Sequence, residues 1–452
     1  MNFEFKISSI WDHFFLSLTI NQYNQFMLIW NRISRSSEIP SEFRQNFSHL
    51  YLDMGWFGIL SGSSIAFLSV YAARLGANPF QVGLMGAMPA VINLLFAIPA
   101  SQWLQKRAIG RAVFWTSVFY RFGYLLLIPL PWIFANQQQI WVLVLLALLM
   151  GIPGTALAVG FNALFAEAVP ATWRAHVAGM RNVILSVVYV ITSVLCGAIL
   201  NNVAFPVGYQ IVFAIGFLGA VMSSFHLYFV RPLSISKDLS TDFVRKISAV
   251  TGSKLGIRYW ISQLRQKLIS VEVWKTPFRR TLTVLLFFHI AQFLAIPLYP
   301  LYFVNVLHLN DQQIGIGSAA FYFTGLIGSM QLARISNKWG HHKVTSLGAV
   351  LTSLYPILLV FSKGYYQYLG ISLVGGFGWA FVGGALVNYL LEKTPGNNWS
   401  AYLAWYNIIL NTAILTGSIL GPVLARQVSL GTALLIIGMF RLFSGLAILK
   451  WG

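Results

Sequence analysis

Long apolar blocks alternate with short polar loops along the chain after about residue 47. Blocks of about 20 residues or more can cross a bilayer core of about 30 Å as a helix. Residues 140–149 read IWVLVLLALL and lack the period-two alternation of barrel strands, so the blocks predict helices. The twelve predicted spans, numbered in chain order, lie near 48–73, 81–103, 111–134, 140–166, 175–200, 207–230, 281–305, 313–336, 343–362, 366–391, 400–425 and 428–449.

Composition and charge agree with an all-α integral membrane protein. Hydrophobic residues make up 57% of the 452 and charged residues 9%, whereas a soluble protein carries roughly 25% charge. Eleven of the 30 basic residues lie between Arg231 and Arg280, in a linker that separates two hydrophobic halves. An anionic inner leaflet attracts such a segment, so the net charge of +19 does not indicate nucleic-acid binding. Since Cys196 is the single cysteine, a disulfide within the chain is excluded.

The basic residues of the short loops predict the orientation. One set of loops holds Lys106, Arg107, Arg111, Arg174, Arg334, Lys338, Lys343 and Lys393, together with the central linker. The alternate loops hold only Arg74, Lys363 and Arg426. Because Lys and Arg gather on cytoplasmic loops, we expect the first set in the cytoplasm. An even number of spans then places both termini there, in a plasma-membrane protein.

Two segments outside the spans have helical apolar stripes. The N-terminal extension, 1–46, carries one from Trp11 to Ile33, opposed by polar residues, and the linker, 231–278, carries one from Ile257 to Leu268 among basic residues. Both patterns are typical of amphipathic helices on the membrane surface. The alternatives are an unstructured tail for the first segment and a solvated charged linker for the second.

The two halves of the chain repeat. Residues 78–83, NPFQVG, match residues 310–315, NDQQIG, at an offset of 232, and the same offset places Arg111 on Lys343. A second match pairs the Glu-x-x-Pro of 167–170 with that of 392–395. The order of the matches is preserved, which predicts two pseudo-symmetric six-helix bundles, 47–230 and 279–452, an organisation typical of transporters.

With these features the chain resembles the major facilitator superfamily, which has two six-helix bundles and a signature loop between spans 2 and 3 that recurs between spans 8 and 9. The signature positions here are Gln105, Lys106 and Arg111 in a degenerate first copy, and Asn337, Lys338, Gly340 and Lys343 in a better second copy. Both copies carry an amide where the family has an acid that locks the outward-open state. The resemblance therefore implies a weaker lock, because an amide lacks the charge that a helix dipole favours.

The same resemblance implies a cytoplasmic gate at Glu167 and Arg174, and Glu392 occupies the position equivalent to Glu167. Lys106 or Arg174 is expected to pair with Glu167, and Lys338 with Glu392. Such pairs can break as the cytoplasmic side opens. The alternative is that these charges only mark the membrane interface.

Asp53 is the only carboxylate well inside a span. Ionisable groups there are costly and mark functional sites. A carboxylate in span 1 can take up a proton and couple it to transport. The alternative is a structural ion pair with a basic neighbour.

Other polar residues lie at depths compatible with a cavity: Asn162, Arg181, His289, Gln292, Asn388, Asn407 and Asn411. They are candidates for ligand contacts, and Arg181 for contact with an anionic substrate, but amides also bond helices to each other. His289 has no metal-ligand companion nearby, so neither a metal nor a cofactor is expected. Arg121 and Arg441, deep in spans 3 and 12, are expected to snorkel or to find a backbone partner.

These observations predict a secondary active transporter that moves a small organic solute by alternating access, with proton coupling at Asp53 as a hypothesis. The alternative is a transporter-like scaffold or assembly factor without transport activity. No nucleotide-binding loop is present and the outer loops carry essentially only Asp311, so an enzyme is not expected. We expect a monomer whose partners are the bilayer and a small-molecule substrate; the fold does not identify that substrate.

Overall fold

The computed structural model describes residues 41–233, 271–394 and 399–452. The predicted amphipathic stripes of the N-terminal extension, Trp11–Ile33, and of the linker, Ile257–Leu268, lie outside these ranges, and both stay predictions.

A long helix occupies each of the twelve predicted spans, and every element of the described residues is helical. The all-α membrane fold predicted from the hydropathy pattern is thereby confirmed. Span 1 comprises Ser41–Leu60, a π-helical segment Ser61–Ile65 and Ala66–Arg74. Spans 2 to 6 are Pro79–Gln105, Ile109–Leu127, Asn136–Ala168, Arg174–Asn202 and Val207–Phe229. Spans 7 to 12 are Phe278–Ala295 with Leu298–Asn305, Asp311–Trp339, His341–Phe361, Tyr365–Lys393, Trp399–Gln427 and Leu430–Trp451.

Ten of these spans, within the described residues, are long and apolar enough to cross a membrane by length and composition. The two that fall short are spans 3 and 8, which are more polar: span 3 contains Arg111 and Arg121, and span 8 is rich in Gln, Ser and Gly. Span 3 is also shorter than predicted. Its helix ends at Leu127, and residues 130–133 form a separate turn after Pro129, because proline lacks the N–H that would continue the helix.

The sequence repeat has a local structural cause at the start of spans 2 and 8. The Asn78 side chain accepts a hydrogen bond from the Gln81 N–H, and the Gln81 side chain accepts one from the Asn78 N–H, both at 2.9 Å. Asn310 and Gln313 form the same reciprocal pair at 2.8 and 3.1 Å. Each capping box satisfies two N–H groups that have no partner inside the helix. The matching residues of the repeat therefore form matching helix starts.

Helix packing repeats between the bundles. Span 4 packs against spans 2 and 3, as span 10 packs against spans 8 and 9, and span 3 packs against span 6 as span 9 packs against span 12. The bundles meet where span 2 contacts span 11 and span 5 contacts span 8. Small residues permit the second contact: Ser193 Oγ donates to the Gly315 carbonyl at 3.0 Å, and a Cβ on Gly315 would lie 2.7 Å from the backbone carbonyl oxygen of Ser193.

Candidate functional site

Three ionisable side chains from three helices meet inside the N-terminal bundle. Asp53 of span 1 lies between Arg121 of span 3 and Arg181 of span 5, and we name these three residues the Asp53 cluster. The Asp53 carboxylate oxygens lie 3.6 Å from Arg121 Nη2 and 3.3 Å from Arg181 Nη2. The exposed fractions of the side chains are only 4% for Asp53, 6% for Arg121 and 11% for Arg181. The cluster is therefore a buried ionic site within the membrane-spanning region.

Serines of span 6 complete the cluster. Ser223 Oγ donates a hydrogen bond to Asp53 Oδ1. Arg121 Nη1 donates to Ser224 Oγ at 2.9 Å, and Ser117 Oγ donates to the same oxygen at 3.1 Å. The interior therefore supplies these groups with hydrogen bonds that water would otherwise make.

The position of Arg121 differs from the sequence expectation. Instead of snorkelling or bonding only to the backbone, its guanidinium points into the bundle, because span 3 packs against span 6. The sequence did carry a signal: within residues 49–230 the only carboxylates are Asp53 and Glu167. Glu167 lies near the end of span 4, so a buried arginine of this bundle had one interior carboxylate available.

Aromatic rings surround the arginines. The guanidinium carbon of Arg181 lies 4.3 Å from the ring centroid of Phe161 and 5.6 Å from that of Phe165. Arg121 lies 5.9 Å from the ring centroid of Phe57. Ring faces attract cations. They do not, however, supply a conventional hydrogen-bond acceptor for the Nε–H groups of the two arginines. Neither Nε has a hydrogen-bond partner among the described residues.

The cluster forms one wall of a cavity of about 580 Å³ that is lined by residues of spans 1 to 6. Most of the lining is apolar. The polar lining residues beyond the cluster are Asn93, Tyr120, Tyr124 and Thr155. A mostly apolar cavity with a few convergent polar groups is the usual form of a small-molecule site. Gly151 and Gly154 of span 4 also line it.

His289 and Gln292, the candidates of span 7, lie in the C-terminal bundle and are both buried. His289 Nε2 lies 3.1 Å from the Tyr406 hydroxyl oxygen. Neither residue lines the cavity of the Asp53 cluster. The structure therefore places these two candidates in a separate polar region.

The four asparagine candidates are not among the lining residues of the cavity either. Asn162 is exposed on span 4. Asn388 Nδ2 lies 3.4 Å from His341 Nε2, and Asn411 Nδ2 donates to the Asn407 carbonyl of its own helix at 2.9 Å. Of the eight candidates from the sequence, only Asp53 and Arg181 line this cavity.

The partners predicted for the charged residues of the gate are wrong. Arg174 donates to the carbonyls of Val169 and Ala166, at 3.1 and 2.6 Å, because the last carbonyls of span 4 have no partner inside the helix. Glu392 pairs with His341 at 2.6 Å rather than with Lys338. In the parts of the chain that the structure describes, Glu167 forms no ion pair with Lys106 or Arg174.

The signature loops lie at helix ends. Gln105 is half-buried, whereas Lys106, Arg111, Asn337, Lys338 and Lys343 are exposed. Gly340 caps span 9 with a φ of +80°, a backbone conformation that favours glycine. Ala108, its equivalent in the first half, has a φ of −63°. The degenerate first copy therefore has a different loop conformation, not only a different sequence.

At the opposite ends of the helices an ion pair joins the two bundles. Arg74, at the end of span 1, donates to Asp311 Oδ1 from Nε at 3.0 Å and from Nη2 at 2.9 Å. Arg74 Nη2 also donates to the Leu309 carbonyl at 2.6 Å, and the Tyr209 hydroxyl donates to Asp311 Oδ2 at 2.9 Å. The sequence placed Arg74 and Asp311 in the same set of loops but did not identify them as partners.

The chain is similar in sequence to known proteins. The model of the Major Facilitator Superfamily matches residues 54–310 and 281–451. Multidrug resistance protein 2 of Bacillus subtilis (strain 168) is 28% identical over 129 residues, and this match spans 28% of the chain and 31% of that relative's length.

Two solved structures share the architecture. The nucleoside transporter NupG superposes with a TM-score of 0.61 at 13% identity, covering 90% of this chain and 98% of that one. A POT family transporter in complex with a thioalcohol-conjugated peptide superposes with a TM-score of 0.63 at 14% identity, covering 89% and 95%. At such identities the likeness shows the fold alone.

Proposed function

The chain belongs to the Major Facilitator Superfamily, and on that premise we propose that it is a secondary active transporter which moves a small organic solute across the membrane by alternating access. The observation that carries the proposal is the Asp53 cluster in the wall of a cavity of about 580 Å³. Each charged group within a membrane costs roughly 2.5–3.5 kcal/mol on insertion scales. Three such groups beside one cavity indicate a site for a polar solute.

The contact between the bundles supports alternating access. The Arg74–Asp311 pair joins them at one end, and span 5 packs against span 8 at Ser193 and Gly315. The basic residues of the opposite loops support an extracellular position for that end. We therefore propose that the structure is closed to the outside, and that both termini lie in the cytoplasm at the plasma membrane.

Span 1 contains a further feature that suits a moving helix. Its π-helical segment Ser61–Ile65 packs against spans 5 and 6. Single π-helical turns occur frequently at functional sites in helices. We propose that span 1 bends at this segment when the outer contact opens.

The transport proposal is tested by ligand binding followed by flux. Purified protein is screened for thermal stabilisation against metabolites and drugs, since a ligand that binds only the folded state raises stability. Compounds that bind are then followed into proteoliposomes that contain the protein. Uptake above protein-free vesicles supports transport. A folded protein that no compound stabilises, and that carries no flux, would favour the scaffold or assembly factor.

Proton coupling at Asp53 is the second part of the proposal. The two ion pairs of Asp53 already satisfy a structural role. Coupling requires in addition that a proton on Asp53 releases Arg121 and Arg181. Flux under an imposed pH gradient distinguishes these roles. Asp53→Asn is expected to abolish the response to the gradient, whereas Glu272→Gln, which removes an exposed acid outside the cavity, is expected to retain it. An unchanged response in Asp53→Asn would leave Asp53 with the structural role alone.

A further inference from the structure

The cavity beside the Asp53 cluster carries more positive than negative charge. Two guanidinium groups line it, and Asp53 is the one carboxylate in its lining. Glu167, the other carboxylate within residues 49–230, is not among the lining residues. An excess of one positive charge in mostly apolar surroundings is unfavourable unless an anion compensates it.

The arginine donors also exceed the acceptors available to them. The 3.6 Å separation between Arg121 Nη2 and Asp53 is an ion-pair distance, longer than a normal hydrogen bond. Arg121 instead donates to Ser224, a neutral hydroxyl. The Nε atoms of Arg121 and Arg181 have no partner among the described residues. Both side chains are about nine-tenths buried or more and both line the cavity, so a ligand there would meet two guanidinium groups whose hydrogen-bonding capacity is not filled.

From this excess of charge and of donors, we propose that the solute is an organic oxyanion, a carboxylate or a phosphate ester on an apolar body, and that its charged group binds Arg121 and Arg181. The inference rests on the proposed function, because it names the substrate class of the same site. Arginine presents a planar fork of donors that matches carboxylate and phosphate oxygens. A cation would meet the excess positive charge, and a neutral solute would leave it uncompensated.

The remaining lining fits the apolar body of such a solute. Met85, Leu143, Leu146 and Met150 line the cavity beyond the charged wall. Burial of an apolar body against these side chains is favourable. Asp53 competes with the solute for the same two guanidinium groups. Removal of its charge is therefore expected to strengthen oxyanion binding, whereas structural damage to the site would weaken it.

The test compares matched ligands on purified full-length protein. Alkyl, phenyl, naphthyl and indolyl bodies are each presented as a carboxylate, a phosphate ester, an amide and an amine, and binding is titrated by thermal shift and calorimetry. At least one oxyanion is expected to bind about tenfold or more tightly than its amide, as hydrogen bonds to charged groups imply, and the matching amine is expected to bind more weakly still.

Variants locate the binding. Arg181→Gln is expected to weaken oxyanion binding about tenfold, Arg181→Lys to weaken it less, and Asp53→Asn to strengthen it severalfold. Arg426→Gln is the matched control, because Arg426 is exposed and does not line the cavity, and it is expected to leave binding unchanged. Size-exclusion profiles check that each variant is folded, and the opposite sign expected for Asp53→Asn cannot arise from misfolding.

Several results would overturn the oxyanion proposal: tightest binding by the amines or amides, no binding by any oxyanion, or oxyanion binding that is unchanged in folded Arg181→Gln and Arg121→Gln variants. A bound oxyanion that is not transported into proteoliposomes would count against the transport function and leave the binding site intact. Transport of a neutral or cationic solute would retain the transporter and reject the oxyanion.

Discussion

The two bundles share their helix packing but differ in their buried charges. The N-terminal bundle holds the Asp53 cluster and its cavity. The C-terminal bundle holds Arg441, which is 5% exposed and lies 5.7 Å from the ring centroid of Phe288. The only carboxylates within residues 279–452 are Asp311 and Glu392, one at the start of span 8 and one near the end of span 10. Arg441 therefore has no carboxylate inside its bundle.

The glycines at equivalent positions in spans 4 and 10 also differ in their surroundings. Gly151 and Gly154 line the cavity. In span 10, Gly376 lies directly against the Phe321 carbonyl, and a Cβ on Gly378 would lie 3.0 Å from the Thr352 nitrogen. In span 10 these glycines therefore provide close packing. At these positions span 4 borders a cavity, whereas span 10 packs closely against its neighbours.

The largest expected effect is on the buried charges. Asp53→Asn leaves two arginines with no carboxylate, and a broken buried pair costs roughly 3–5 kcal/mol. Glu392→Gln removes an acid that is 52% exposed and is expected to cost under about 1 kcal/mol. The apparent free energy of unfolding in mixed micelles measures both. Equal losses would show that the Asp53 cluster stabilises the protein no more than the exposed acid does.

The glycine contrast predicts the next effect. Gly376→Ala inserts a methyl group against a backbone carbonyl that cannot move alone, at a cost of about 3 kcal/mol. In Gly154→Ala the new Cβ lies 3.0 Å from the Tyr120 ring, which borders the cavity and has room to shift, so the cost is expected below about 1 kcal/mol. Thermal denaturation of both variants measures the two losses of stability. A larger loss for Gly154→Ala would contradict the assignment of the closer packing to span 10.

The signature loops give a third contrast between the halves. Gly340→Ala places a side chain at a φ of +80° and is expected to cost about 1–2 kcal/mol. Ala108→Gly, at the equivalent position, has an ordinary φ and is expected to cost at most about 1 kcal/mol, from added chain entropy alone. Unfolding free energies of the two single variants test this. If Gly340→Ala proves neutral, the loop conformation is not set by the glycine.

The capping boxes give the smallest effect, and here the halves are expected to agree. Asn78→Ala and Asn310→Ala each remove one side-chain acceptor from a helix start, at a cost of about 1 kcal/mol. The same unfolding measurement applies. Costs that differ by much more than their errors would show that the repeat does not stabilise the two halves equally.

Local features account for what was predictable at the site. Asp53 and Arg181 were recognisable as costly charges inside spans. Their meeting was not, nor was the participation of Arg121, because the rotation of each helix about its axis decides which residues face inward. The gate pairs failed for a similar reason: Arg174 lies within reach of the carbonyls that end span 4, and His341 is closer to Glu392 than the predicted Lys338.

By itself the sequence determined the twelve spans, the repeat and the all-α membrane fold, since hydropathy, helix caps and loop charges act over one helix at most. The tertiary structure alone decided which distant residues meet. Asp53 and Ser223 are 170 positions apart, and Arg74 and Asp311 are 237 apart. Such contacts depend on how several helices pack against each other at once, and no local pattern of residues contains that information.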